Sequence, residues 1–345
     1  MSAHRLTSAD AWRHWRAMPD HVAPLSPRND VGAPAVAVLI PCHDEAATIG
    51  KVVADMRAAL PHATIYVYDN NSRDDTVAVA RAAGACVRHE PAQGKGHVVR
   101  RMFGDVQADS YVLVDGDDTY DAAAAPRLVE MLVERQLDMV TGVRRMQNAA
   151  AYRRGHRFGN RVLTGLVRRL FTSPVADMLS GYRAFSRRFV KTFPALATGF
   201  ETETEFTVHA LALDMPVGEV AVDYRERPEG SASKLRTVRD GLRILRTIVV
   251  LVKEERPLPF FGTAALGLFV IGLALGLPVV AEFMRTGLVP RLPTAVLAVR
   301  FVLLSFLSLA CGLILDSVAR GRKEAKRIAY LAMRAPGFDA DVRAP

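Results

Sequence analysis

Cysteine is scarce in this chain of 345 residues. Cys42, Cys86 and Cys311 stand too far apart for a zinc site or a disulfide framework. That scarcity fits a reducing, cytoplasmic setting for the soluble part. Acidic residues are nearly absent from residues 144–191, where twelve Lys/Arg face a single acid, Asp177. A basic field of that kind calls for anionic partners such as phosphates or an anionic membrane face. No helix-turn-helix, zinc-finger or RNP-like pattern is present, which argues against nucleic acid as that partner. The first 31 residues have charges, three prolines and two tryptophans but no apolar core segment, so they do not read as a signal peptide. They read as an amphipathic or irregular arm. Gly94-Lys95-Gly96 lacks the remaining glycines and the Ser/Thr of a P-loop, which excludes that nucleotide cradle.

What is present begins with an alternation. Residues 35–40 (AVAVLI), 64–68 (TIYVY), 85–87 and 111–114 (YVLV) are apolar, strand-like runs, and 139–143 and 217–224 follow the same pattern. Helical spacing separates the early ones. Ile49, Val52, Val53, Met56 and Leu60 repeat along 48–60, a second helix covers 76–83, and a third opens after Gln93-Gly94-Lys95-Gly96 and runs through 98–106. This β-α order predicts a mainly parallel sheet with right-handed crossovers. Residues 158–171 place Phe158, Val162, Leu163, Leu166, Val167 and Leu170 on one helical face.

The fourth strand is the informative one, because it ends abruptly in Asp115-Gly116-Asp117-Asp118. Open α/β sheets bind ligands at the carboxyl edge. Two aspartates around a glycine can share a hard divalent cation, and Mg²⁺ typically keeps one or two carboxylates plus substrate phosphates. The alternative is a polar strand-to-helix turn capped by Asp.

Beyond residue 234 the character changes. Leu242, Leu245, Ile248, Val249 and Val252 share one helical side, with Arg239, Arg243 and Arg246 on another, as in a helix lying among lipid headgroups. An ordinary surface helix is the alternative. Residues 260–281 then carry no charge, and residues 293–315 carry one, Arg300, read as snorkelling toward the interface. Each stretch is long enough for a ~30 Å hydrocarbon core. Lys253, Arg256, Arg320, Arg322, Lys323, Lys326 and Arg327 flank this hairpin, against Arg285 and Arg291 in its loop. The bias predicts an integral membrane protein with two spans and with the large domain and C-terminus in the cytoplasm. Gly262, Gly267, Gly272 and Gly276 are expected to let the two helices approach closely.

Four pieces in order, PCHDE, DNNSRDDT, QGKG and DGDD, resemble the GT-A nucleotide-sugar glycosyltransferases of family 2. Four more, RFGN, DMLSGYR, GFETETE and RPEGSASK, are similar to the polyprenyl-phosphate hexose synthases, which include dolichol-phosphate mannose synthase and bactoprenol glucosyltransferases. The resemblance spans roughly residues 36–235 and implies a GT-A fold, Rossmann-like with a mainly parallel sheet. It divides the chain into an arm (1–34), a glycosyltransferase domain (35–235), an amphipathic helix (236–258), two transmembrane helices (259–316) and a basic tail (317–345).

The resemblance also implies roles. Pro41, His43, Glu45 and Asp69 would line the nucleoside pocket, with Lys95 and Gly116 nearby on the donor. Asp115 and Asp117 would meet the diphosphate and hold Mg²⁺ or Mn²⁺, Asp117 being the surest ligand and Thr119 reaching the metal through water. Arg144 and Arg157 would face phosphates, Arg227 and Lys234 would sit on a basic loop closing over the donor, and Asp177 or Glu205 would orient sugar or acceptor. The pattern departs from its relatives at His43, Asp44 and Thr119, and the basic loop is one residue longer than in mannose synthases. The implied reaction is inverting transfer of a hexose from a UDP- or GDP-linked donor to polyprenyl or dolichyl phosphate. Membrane lipids are the remaining partner, and a homo-oligomer is left open. Asp118 and Asp121 read as turn or helix-cap residues.

Two other readings compete. DxDxT at Asp115, Asp117 and Thr119 also fits the nucleophile loop of haloacid-dehalogenase-like phosphatases, although that loop normally begins its domain and three β-α units precede it here. A non-catalytic, membrane-tethered sugar-nucleotide binder would leave the two aspartates idle. Processive polysaccharide synthases need more spans and a QxxRW-like segment, which is absent.

Overall fold

A computed structural model of the protein describes residues 35–146, 176–199, 201–225, 249–250, 253–254 and 256–337. The expected arm, the helix at 158–171, Arg157, Arg227, Lys234 and nearly all of the amphipathic helix lie outside the described residues. Two compact units are present, one comprising Met1–Leu245 with Ile328–Pro345 and the other Arg246–Arg327.

The first unit is built on seven strands: β1 (Val36–Cys42), β2 (Thr64–Asp69), β3 (Cys86–His89), β4 (Ser110–Leu113), β5 (Met139–Met146), β6 (Arg183–Ser186) and β7 (Val217–Tyr224). Their order is β3-β2-β1-β4-β6-β5-β7. All run parallel except β6, which is antiparallel to both β4 and β5. The chain winds outward from β1 to β3 and then returns to place β4 on the other side of β1. The carboxyl ends of β1 and β4 therefore flank the switch point where such sheets bind ligands.

Alternation along the strands sends side chains to two cores. Val38, Ile40 and Val112 join Ile49, Val53 and Met56 of α1 (Ala46–Ala59) and Leu128 and Leu132 of α4 (Ala125–Glu134) on one face. Leu39, Tyr111 and Leu113 meet Val99, Met102 and Phe103 of α3 (Lys95–Asp105) on the other, with Phe189 of α5 (Arg187–Thr192) and Phe206 of α6 (Thr202–Ala212). α2 (Thr76–Ala82) completes the first layer and packs Ala80 into it. Full burial of each large apolar side chain stabilises the unit by about 1.5–3 kcal/mol. Pro41 lacks an N–H, and it sits opposite Tyr68 just beyond Leu39, the last residue of β1 paired with β4.

Two elements depart from the expected alternation. β6 is only four residues, opens with an arginine and reverses direction, so it has no apolar run to announce it. α6 is buried around nearly its whole circumference, including Glu203, Thr204, Glu205 and His209, so no amphipathic period exists to be read.

The second unit holds α7 (Pro257–Thr286) and most of α8 (Leu292–Leu331). Both are long and apolar enough to cross a membrane, with mean hydropathies of 2.4 and 2.3 over their most apolar windows. α7 ends on Gly287 in the left-handed conformation (φ 69°), whose N–H donates to Phe283 O at 2.8 Å. The connection between the helices, residues 287–291, is thus shorter than the loop expected over 282–292, and α8 continues well past residue 316. A Cβ on Gly272 would come within 2.8 Å of Val302 Cγ2, and one on Gly312 within 3.0 Å of Phe261 Cβ. Gly262 and Gly267 have no such neighbour within 4 Å, which corrects the expectation that they form part of the close contact. At helical pitch they lie off the face that carries Gly272 and Gly276 toward Ala298.

Candidate active site

Glu45, Asp69, Asp115 and Asp117 are delivered to the sheet's carboxyl edge by strand ends and the turns after them. Three non-glycine residues in these turns, Asp44, Asn71 and Asp118, adopt positive φ (50°, 64° and 55°), which Asn and Asp tolerate best. Asp44 and Ser72 zip the turns after β1 and β2 together. Asp44 N donates to Ser72 Oγ at 2.9 Å, and Arg73 N donates to Asp44 Oδ1 at 2.7 Å.

Asp69 is buried at the end of β2, where its carboxylate accepts from Ser72 N (3.2 Å) and lies 3.1 Å from His89 Nδ1. Its neighbour Asn70 donates to Glu90 O and Ala92 O, both at 2.8 Å, and accepts from Gly94 N at 2.7 Å. Asn70 thereby pins the loop that opens α3. Gly94 has φ +134°, a conformation closed to side chains, and Gly96 N donates to Thr198 O at 3.2 Å. Segment 194–199 is held in place by Glu205, whose two carboxylate oxygens accept from Leu196 N (2.8 Å) and Ala197 N (2.9 Å).

α3 begins at Lys95, and this side chain reaches the acidic strand end. Its Nζ lies 2.5 Å from Asp115 Oδ1 and 2.6 Å from Glu203 Oε1. Burial works to lower the pKa of Lys95, but the two carboxylates outweigh it and hold the ammonium above the usual lysine value. Asp115 also packs over Gly181, where a Cβ would come within 3.0 Å of the Asp115 carboxyl carbon. Gly116 O accepts from Thr48 Oγ1 at 2.7 Å, and a Cβ on Gly116 would meet Cys42 Sγ at 2.7 Å and the Glu45 carboxyl carbon at 3.5 Å. Glu45 is therefore packed on the turn between the two aspartates. His43 is half-buried beside Asp44, with 3.5 Å between its Nε2 and Asp44 Oδ2.

Asp117 is 2% exposed, and its Oδ1 accepts from the Thr119 hydroxyl at 2.6 Å and Thr119 N at 3.3 Å. Thr119 is itself buried. Asp118 instead turns to Lys51 at 2.7 Å, and Asp121 accepts from Ala123 N at the start of a single 3-10 turn, the cap expected of it.

Arg144 on β5 makes a two-pronged pair with Asp177, Nε to Oδ2 at 2.6 Å and an amino group to Oδ1 at 2.8 Å. Burial would raise the Asp177 pKa, but the arginine overrides it and holds the carboxyl below the usual range. The Arg144 guanidinium lies 5.5 Å from the centroid of Tyr224, which stacks edge-on against Tyr120. Burial, reinforced by the charge of Asp117, raises the pKa of Tyr224. Tyr120 accepts from Gly181 N at 2.9 Å, which ties the DMLSGYR segment to the DGDD turn. Arg183 in that segment is fully buried. It donates to Ser180 O (3.0 Å), Met178 O (2.7 Å) and Thr207 Oγ1 (3.0 Å), and burial lowers its pKa to about 10.

The structure thus brings together Lys95, Asp115, Gly116, Asp117 and Glu45, and pairs Arg144 with Asp177. Glu203, Asn70, Arg183, Tyr120 and Tyr224 make contacts here that the sequence reading assigned to no individual residue. In ETETE three glutamates alternate, and nothing local distinguishes the one that meets Lys95 from the one that clamps a loop.

Among the described residues no three His, Cys, Asp or Glu side chains converge as a closed metal cage. The donors at the strand end are nonetheless suited to a hard divalent cation. They are carboxylate oxygens, and one ammonium stands against the two carboxylates of Asp115 and Glu203, which leaves surplus negative charge. A cation that keeps few protein ligands and takes the rest from phosphate and water matches such a half-site.

Residues 37–193 match the sequence profile of glycosyl transferase family 2. The chain is similar to Glycosyltransferase AglJ of Haloferax volcanii, 32% identical over 300 residues that cover 86% of this chain and 98% of the relative. It is 29% identical over 222 residues to Dolichyl-phosphate hexose transferase of the same organism, which covers 64% of this chain and 95% of that protein. Among solved structures, glucosyl-3-phosphoglycerate synthase from Mycobacterium tuberculosis, in complex with Mn²⁺, UDP and glucosyl-3-phosphoglycerate, superposes with a TM-score of 0.51 at 23% identity, over 65% of this chain and 80% of that one. That likeness, with the strand order above, shows a GT-A fold.

Proposed function

The chain belongs to glycosyl transferase family 2, and from that premise we propose that it transfers a hexose-type sugar from a nucleotide sugar to a polyprenyl or dolichyl phosphate at the cytoplasmic face of a membrane. The observation that carries this reading is the union, in one chain, of an acidic GT-A strand end with two helices apolar enough to cross a bilayer. The relative named a dolichyl-phosphate hexose transferase supports the acceptor class. Basic residues outside the hairpin loop support a cytoplasmic catalytic unit.

In this reading the acceptor phosphate attacks the anomeric carbon from the face opposite the nucleoside diphosphate. A carbon–oxygen bond to the acceptor forms as the one to the diphosphate breaks, and the configuration inverts. A phosphate monoester has a second pKa near ~6, so the nucleophile is largely ionised and needs no strong general base. Asp115 and Asp117 would hold Mg²⁺ or Mn²⁺, with Thr119 orienting Asp117 through the hydroxyl it donates. When bound, the divalent ion supplies electrostatic stabilisation of the departing diphosphate. Pro41, His43, Glu45, Asp69 and Gly116 line the nucleoside side, and Lys95 faces the diphosphate. Arg144, Arg157, Arg227 and Lys234 supply positive charge to the phosphates, for which the planar guanidinium fork is well shaped.

Two acids expected to act on substrate are read here as positioning residues, a role their contacts support. Asp177 aims Arg144, and Glu205 fixes the segment against which the Lys95 loop rests. The test is transfer by membranes containing the protein, with UDP- and GDP-sugars and polyprenyl phosphate as substrates. Product should appear only with Mg²⁺ or Mn²⁺. Undiminished transfer in EDTA would sink the mechanism, and burst release of inorganic phosphate from a phosphate ester would favour phosphatase chemistry instead.

A further inference from the structure

Lys95 bridges two acids on separate elements, Asp115 after β4 at 2.5 Å and Glu203 on α6 at 2.6 Å. The side chains of Lys95 and Glu203 are 10% and 6% exposed, so their pair is little screened, whereas Asp115 is 28% exposed and open to an arriving ligand. A lysine ammonium has three donors, and these two carboxylates take two of them. The ammonium and a divalent cation held by Asp115 would compete for the same carboxylate, and like charges a few ångströms apart inside a protein repel strongly. A metal ion arriving alone therefore meets an acid whose charge is partly offset and whose Oδ1 the ammonium already occupies. A nucleoside diphosphate changes that balance, since its oxygens can receive the ammonium and the metal together.

We propose that Lys95 is a resident counter-cation that keeps Asp115 from holding a divalent metal by itself, so that metal and nucleoside diphosphate enter as a pair. Glu203 is the anchor that keeps the ammonium in the site once Asp115 is given up. Metal-free Asp115 is thereby kept compensated, and the site is not loaded unproductively by metal without donor. The inference rests on the reading of Asp115 and Asp117 as the metal's ligands.

The experiment titrates Mn²⁺ against the full chain in detergent micelles, reading free Mn²⁺ by electron paramagnetic resonance, without nucleotide and with UDP or GDP. Wild type should bind Mn²⁺ weakly alone and far more tightly with its nucleotide. Lys95→Met should tighten Mn²⁺ binding in the absence of nucleotide by at least about tenfold, the direction set by removing a nearby like charge. Lys95→Arg, which keeps the charge, should stay near wild type. Because Lys95→Met puts an apolar group between the carboxylates of Asp115 and Glu203, Lys95→Gln, neutral but able to donate to both, provides a second variant with the same expected gain. If both variants bind Mn²⁺ alone no more tightly than wild type, while Asp117→Ala abolishes nucleotide-supported binding, the inference is overturned and the site reading survives. If Asp117→Ala leaves nucleotide-supported Mn²⁺ binding intact, the site reading fails and takes this inference with it.

Discussion

The sheet-based unit and the helical pair α7–α8 are built from the same apolar residues and meet opposite surroundings. Leu39, Ile49 and Met102 are completely buried in protein, whereas Met284, Leu303 and Phe306 are 60% or more exposed. Burial at about 25 cal/mol per Å² drives the first arrangement in water, and it cannot drive the second unless another apolar medium covers those side chains. The contrast extends to polar groups. The first unit buries Asp117, Asp177, Arg183 and Glu203, each with hydrogen-bond or charge partners, while the apolar stretches of the pair contain almost nothing to satisfy. One region is organised by paired charges inside a core, the other by length and apolarity.

That division can be tested from the site outward. Asp117→Ala should lower sugar transfer by about a thousandfold, typical of removing a group that stabilises developing charge, and leaving the Thr119 hydroxyl without its acceptor should cost about 1–3 kcal/mol of stability. A variant that transfers normally would place the chemistry elsewhere. Arg183→Met should leave the carbonyls of Ser180 and Met178 without their donor and destabilise the sheet-based unit by roughly 3 kcal/mol, read by thermal denaturation in detergent. The midpoint assigned to the helical pair should not move.

The Arg144–Asp177 pair separates local electrostatics from packing. Because the folded-state pKa of Asp177 is depressed, its contribution is present above the ordinary carboxylate range and is lost as pH falls through the lowered value. Asp177→Asn should cost about 1.5–3 kcal/mol at neutral pH and flatten the acid limb of the stability profile. An unchanged acid limb would show that Arg144 is not what holds that carboxylate.

Removal of everything after Val252 should spare nucleotide binding while lowering turnover on long-chain lipid acceptors by about tenfold or more, since anchoring raises the effective concentration of a membrane-held partner. That truncation also deletes Tyr330, whose hydroxyl donates to Asp138 at 2.7 Å, so full-length Tyr330→Phe is the control and should retain turnover. The smallest effect belongs to the glycines. Gly272→Leu should loosen the helix pair by about 1 kcal/mol, and Gly267→Leu should be nearly silent. Equal effects would mean that the close contact lies elsewhere along the helices.

Legibility followed locality. β1, β2 and β4 were readable because each is a continuous apolar run on a sheet covered on both faces, and the acids at their ends stand next to those runs in sequence. β6 was not, because a four-residue strand with Arg183 at its head owes its place to β4 and β5 rather than to its own composition. Glu203 was passed over for the same reason. Its partner Lys95 lies more than a hundred residues earlier, and only the packing of α6 beside the start of α3 joins them. The resemblance implies that Thr119 reaches a metal through water, and only the fold shows that its hydroxyl donates to Asp117.

By itself the sequence determined the β-α alternation, the acidic end of β4 and the two long apolar helices, because hydrophobic period, strand ends and span length are all local properties of the chain. Only the tertiary structure decided the partner of each charge: Lys95 with Asp115 and Glu203, Arg144 with Asp177, Glu205 with two backbone amides. Such a pairing depends on distance and desolvation, and both exist only once remote segments have packed against each other.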